Sequence, residues 1–134
     1  MSDHCQLLYT SFVAPDLERS DVLQIVRRAR AKNGRLAISG ILLFDGLCFC
    51  QYLEGPRNRL DAMLGTLRSD ARHVEMVVKD YGPLPDARLF GNSPLAFALC
   101  TDPKSLDGIA RADSGAALQA FHALLPTLTI DHGH

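Results

Sequence analysis

The chain has 134 residues, 47% of them hydrophobic and 22% charged, an ordinary globular composition with room for one domain and one core. Lys and Arg number 14 against 15 Asp and Glu, a formal charge of −1, so the net basic surface of an electrostatic nucleic-acid binder is missing. No apolar run approaches the roughly 20 residues that span a bilayer, and Met1-Ser2-Asp3-His4-Cys5 lacks the basic and long apolar regions of a secretion signal. The expectation is a cytoplasmic protein that engages neither nucleic acid nor membrane.

Cys5 to Ser11 is short and apolar and predicts a strand with Leu7, Tyr9 and Ser11 on one face. Ser20 and Asp21 open a helix in which Val22, Ile25, Val26 and Ala29 recur at i, i+3, i+4 and i+7, and Asn33-Gly34 supplies its stop. Leu36 to Phe44 predicts an apolar strand, and Asp45-Gly46 is a hairpin turn leading into a third strand, Leu47 to Glu54. Gly55-Pro56 closes that strand and sets proline at the start of a second helix with a stripe of Leu60, Met63, Leu64 and Leu67. A polar connector, Asp70 to His73, precedes a strand over Val74 to Asp80. Gly82, Pro83 and Pro85 then break the chain before a last strand at Leu95 to Leu99. A helix follows Ser114, apolar at Ala117, Phe121, Leu124 and Leu125 and ended by Pro126, while His132-Gly133-His134 reads as a frayed end.

The order β-α-β-β-α-β-β predicts an α+β, ferredoxin-like fold, a mixed sheet with two helices on one face. The C-terminal helical extension is expected to cover the other face. Residues 1–100 then form the main unit, and residues 101–134 form a cap belonging to the same domain.

The third strand carries the first chemical signal. Alternation puts Leu47, Phe49, Gln51 and Leu53 on one face and Cys48, Cys50, Tyr52 and Glu54 on the other, so the strand is expected to be covered on both sides with an amide in its middle. An interior amide needs partners, and the phenol of Tyr9 on the first strand can supply one. By residue type alone this pair is equally a structural hydrogen bond within the core. Asn33 alone is a helix-terminal residue, and Arg72 and His73 alone are a solvated turn. Cys5, Cys48, Cys50 and Cys100 read as reduced packing residues. Cys48-Phe49-Cys50 lacks the spacing of a zinc hairpin, and no metal site is expected.

Together, Tyr9, Lys32-Asn33-Gly34-Arg35, the run Ile38-Ser39-Gly40-Ile41-Leu42-Leu43-Phe44-Asp45-Gly46 and Phe49-Cys50-Gln51-Tyr52-Leu53-Glu54-Gly55-Pro56 resemble BLUF domains, the blue-light sensors that bind flavin. The resemblance spans about Leu7 to Phe97. It implies a non-enzymatic blue-light receptor holding FAD non-covalently, with FMN or riboflavin as alternatives. Tyr9 would give an electron and a proton to the excited flavin, and Gln51 would lie between that phenol and the ring. Return of the pair would leave the hydrogen bonds around Gln51 rearranged, by rotation or tautomerisation of the amide. Asn33 would bond the ring edge, Asp70 the ribityl chain, and Arg72 and His73 the phosphate side. Ile25, Leu42, Phe49 and Leu67 would wall the ring.

One stretch departs from the family pattern. Where the family has a motif like Arg-x-Phe-x-x-Trp-x-Met, this chain has Arg88-Leu89-Phe90-Gly91-Asn92-Ser93-Pro94-Leu95, so Ser93 and Leu95 stand at the tryptophan and methionine positions. That change concerns the output route rather than the Tyr9–Gln51 chemistry. With about 35 residues after the last strand, too few for a typical catalytic output domain, the signal is expected to leave through a downstream protein partner or a homo-oligomer interface. The candidate surfaces are the C-terminal helix and the face bearing Cys48, Cys50 and Tyr52. The competing expectation is a ferredoxin-like flavin-binding or protein-interaction module without photochemistry. An acyl-phosphate hydrolase on this scaffold would need an arginine in the loop after the first strand, and Phe12-Val13-Ala14-Pro15 has none.

Overall fold

The computed structural model describes residues 3–13, 18–69, 73–85, 87–91 and 93–132. Its elements are β1 (His4–Val13), α1 (Arg19–Arg35), β2 (Ser39–Phe44), β3 (Cys48–Pro56), α2 (Arg57–Arg68), β4 (His73–Pro83), β5 (Ala96–Leu99), α3 (Pro103–Arg111), α4 (Ser114–Leu124) and a 3₁₀ turn at Leu125–Thr127. The expected α+β order is present in full.

The β2–β3 hairpin forms because Gly46 takes a left-handed backbone (φ 101°) and Asp45 Oδ1 accepts the N–H groups of Leu47 and Cys48 at 2.9 and 2.7 Å. Gly40 is required at the centre of β2, since a Cβ there would sit 2.0 Å from the Tyr52 carbonyl oxygen of β3. The sheet order is β4-β1-β3-β2-β5, with β5 parallel to β2 and the other pairings antiparallel.

Several boundaries move from their expected places. The α1 helix starts earlier, where the Glu18 N–H donates to Asp21 Oδ2 at 2.8 Å in a reciprocal cap. It also runs past Asn33-Gly34, because the sharp change of direction falls at Ala37 (φ 57°), and β2 therefore starts at Ser39 instead of Leu36. Pro56 is the N-cap of α2 rather than its first helical residue. Strand β4 extends to Pro83, paired to β1 through two register shifts.

The sheet is buried on both faces. Leu7, Tyr9, Leu42, Phe49 and Leu53 pack with Val22, Ile25 and Val26 of α1 and Leu60, Met63 and Leu64 of α2. Leu8, Ile41, Leu43, Cys50 and Tyr52 pack with Leu106 and Ile109 of α3 and Ala117 and Phe121 of α4. The Tyr52 and Phe121 rings stack at 5.0 Å. Two features escaped the sequence reading. The α3 helix lies between β5 and the expected last helix, and Asp131, just ahead of the end expected to fray, exchanges two backbone hydrogen bonds with Phe97, each 2.8 Å, while Gly133 and His134 lie outside the described residues.

Candidate functional site

Tyr9 and Gln51 are direct partners in the β1–β3 register, and Leu42 of β2 faces Gln51 from the other side. Because side chains alternate along each strand, partners in register share a face, and here that face is the one under α1 and α2. Tyr9 is completely buried, and its hydroxyl donates a hydrogen bond to Gln51 Oε1. The pair expected from residue types is therefore made.

Above it lies a cleft of about 130 Å³ between the two helices. Ile25, Ala29, Leu42, Met63, Leu67 and Leu95 form its apolar walls, Asn33 and Gln51 its polar interior, and Arg28, Lys32 and Thr66 also line it. Ile25, Leu42 and Leu67 stand where the wall was expected. Phe49 does not line the cleft. It is fully buried against Phe44, ring centroids 5.0 Å apart, and belongs to the core. Ala29, Met63, Thr66 and Leu95 also line the cleft beyond the wall residues that the resemblance implies, and Ala29 and Met63 share the apolar helix stripes of Ile25 and Leu67.

Asn33 gives the cleft a specific demand. Its side-chain nitrogen donates to the Pro94 carbonyl at 2.8 Å, while its oxygen is the one buried side-chain polar atom without a partner among the described residues. Such an orphan costs about 1–3 kcal/mol, and a ligand donor would relieve it. A flavin ring fits this set: it has flat apolar faces for the aliphatic walls, an imide N–H for the Asn33 oxygen and rim acceptors for the Gln51 amide.

Asp70 and Arg72 lie outside the described residues. His73 opens β4 opposite Val13, and its side chain is likewise outside the described set. Ser93 is buried, with its hydroxyl 2.9 Å from His132 Nδ1, and Leu95 is fully buried in the cleft wall. A wider, open hollow of about 800 Å³ beside β5 is lined by exposed polar residues at Thr101, Asp102, Thr127, Thr129 and Asp131 and offers no comparable buried pair.

On the opposite face, Glu54 is completely buried. Its two carboxylate oxygens accept hydrogen bonds from Ser39 Oγ (3.0 Å), Tyr52 Oη (3.2 Å) and the backbone N–H groups of Leu89 (2.9 Å) and Phe90 (2.6 Å). Burial and the neighbouring Glu54 push the Tyr52 phenol well above its ordinary range. All four cysteines are free and buried. Burial, followed by the charge of Asp45, raises Cys48 and Cys100 to about 11. Among the described residues no cluster of His, Cys, Asp or Glu is arranged to hold a metal ion.

Residues 5–96 match the family model of BLUF, described as sensors of blue-light using FAD. The chain belongs to the BLUF family. The alpha subunit of the photoactivated adenylate cyclase of Euglena gracilis is 35% identical over 96 residues, 72% of this chain and 9% of that protein. The blue light- and temperature-regulated antirepressor BluF of Escherichia coli strain K12 is 34% identical over 89 residues, 65% of this chain and 21% of that protein. Among solved structures, the dark state of the BLUF protein BlrB superposes with a TM-score of 0.78 at 30% identity, covering 95% of this chain and 98% of that one. The chain thus spans about a tenth of the cyclase subunits and nearly all of BlrB. Membership makes this a flavin-binding, blue-light-sensing unit of ferredoxin-like fold, and the cyclase activity is the property of much longer relatives. Among the described residues no helix is long and apolar enough to cross a membrane.

Proposed function

We propose that this protein is a blue-light receptor in which Tyr9 and Gln51 form a photochemical hydrogen-bond switch beside a flavin held between α1 and α2. The observation carrying the proposal is the buried Tyr9-to-Gln51 hydrogen bond beneath a cleft that contains an orphaned Asn33 acceptor. When bound, a flavin supplies absorption of blue light and a centre that accepts an electron with a proton.

The chain's own groups do the rest. The Tyr9 hydroxyl points its proton at Gln51 Oε1, so the amide lies on the route by which the phenol gives up and recovers that proton. An amide has two ends of nearly equal shape and opposite polarity. Its reorientation exchanges donor for acceptor without displacing the packed strand. Ile25, Leu42 and Leu67 exclude water, and Asn33 fixes the ring edge. Asp70, Arg72 and His73 are proposed for the ribityl and phosphate side.

We infer FAD as the cofactor. The family description names it, and Arg28 and Lys32 stand among the residues that line the cleft, a positive charge that suits a phosphorylated flavin over riboflavin. In this reading the receptor is cytoplasmic, residues 101–134 cap the sensor within one domain, and the signal passes to a partner protein or a second copy. The test is the absorption spectrum of the purified protein before and after blue light, for wild type, Tyr9→Phe and Gln51→Ala. A reversible red shift in wild type, lost in both variants with flavin retained, is the expected result. Equal responses in all three overturn the proposal, and a wild type without a shift favours a module without photochemistry.

A further inference from the structure

The residues leading into β5 are held in an unusual way. Pro94 has no N–H to give, and pairing with β2 starts only at Ala96. Three successive carbonyls are gripped instead. The Gly40 N–H donates to the Ser93 oxygen at 3.2 Å, the Asn33 side-chain nitrogen to the Pro94 oxygen at 2.8 Å, and Arg30 Nε to the Leu95 oxygen at 2.6 Å. Asn33 and Leu95 line the cleft, so the cleft wall and this stretch are one mechanical unit.

The outer side of the same stretch carries the chain's final described residues. Asp131 pairs with Phe97 through two backbone bonds, and His132 meets the Ser93 hydroxyl. Arg30 reaches there as well, with Nη2 at 3.4 Å from the Asp131 carbonyl oxygen and 3.6 Å from its carboxylate. One guanidinium therefore grips the cleft wall at Leu95 and the C-terminal segment at Asp131.

We propose that Ile130–His132 form a latch on the outer edge of β5 that opens when the hydrogen bonding of Gln51 and Asn33 changes. Arg30 is the positioning residue that carries the displacement. The inference rests on the photoreceptor reading above. A shift of the Asn33 amide moves the Pro94 carbonyl it holds, and the adjacent Leu95 carbonyl moves with it. Arg30 cannot follow Leu95 and keep Asp131 within reach. A single bridge on an edge strand lies at the low end of local stability, so it is the contact that yields. The Ser93 hydroxyl gives that segment a polar contact through His132.

The experiment is hydrogen exchange on the flavin-loaded protein, in the dark and under continuous blue light. The Phe97 and Asp131 amides should exchange about fivefold or more faster in the light, the scale expected when a local opening becomes easier. Arg30→Gln should raise dark exchange at both amides and abolish the light-dark difference while keeping the red shift. Ser93→Ala, which removes only the His132 contact, should move dark exchange the same way by less. A red shift with identical exchange in light and dark overturns the latch and leaves the photoreceptor reading standing. A wild-type light-dark difference that persists in Arg30→Gln overturns the role of Arg30. A protein without a red shift removes both the reading and the latch.

Discussion

Glu54 on β3 accepts the backbone N–H of Phe90 at 2.6 Å, tying the Gln51 strand to the connection that leads into β5 from a position 36 residues away. The carboxylate is wholly buried, and each of its oxygens serves two donors. Glu54→Ala strands those donors and is expected to lower unfolding stability by about 2–4 kcal/mol, with Glu54→Gln falling between it and wild type because one acceptor survives. Urea unfolding with a common slope checks this, and a change within error for Glu54→Ala refutes the anchoring role.

Asn33 should matter more to the ligand than to the fold. Asn33→Ala loses the bond to Pro94 and also deletes an orphaned acceptor, so stability without flavin should change by less than about 1 kcal/mol. Flavin affinity should fall about tenfold, or about 1.4 kcal/mol. Fluorescence-quenching titration separates the two effects.

The cationic side of the cleft makes a prediction about ligand choice. FMN and FAD should bind several-fold tighter than riboflavin at low salt, and the gap should narrow as salt screens it. Arg28→Gln with Lys32→Gln should close most of that gap and leave riboflavin affinity unchanged. Arg72→Gln, on the proposed phosphate side, should close the remainder, and a gap that none of these substitutions narrows refutes the cationic contact.

Alkaline pH should loosen the molecule in a defined window. Cys48 and Cys100 are raised from 9.0 to about 11 in the folded state, so their contribution to stability is fully present below pH 9 and is lost as pH rises from 9 towards 11. Denaturant midpoints should be flat in these terms up to about pH 8.5 and then decline. Iodoacetamide labelling of both thiols should track global unfolding rather than thiol ionisation below that range.

The central pair was partly legible in the sequence because strands have a period of two and the Asp45-Gly46 turn fixes the register of β3 against β2. Alternation gave Tyr9 and Gln51 each a face within its own strand, but that turn leaves β1 free, so the two residues were only possible partners until the resemblance to BLUF domains singled out the pair. The α3 helix was not read, although Asp102-Pro103 followed by Leu106 and Ile109 carries a start signal and the beginning of an apolar stripe. Glu54 was hidden for a different reason. Its partners at Leu89 and Phe90 are backbone donors, which have no residue type to betray them. Phe49 shows the limit of face assignment: the alternation gave its side of the sheet correctly but not whether it fills the core or faces the cleft.

The parity of the strands also sets what change this protein can absorb. Leu8 and Tyr9 are consecutive, and so are Gln51 and Tyr52, yet each member of a pair serves a different layer. Adding or deleting one residue inside Cys5–Ser11 or Cys48–Glu54 would transpose the layers, turning the phenol toward the capping helices and thiols toward the chromophore. Length variation among descendants of this sequence should therefore collect in the turns and in the segment joining β4 to β5, and mutational scanning by single-codon insertion would find these two strands silent to light.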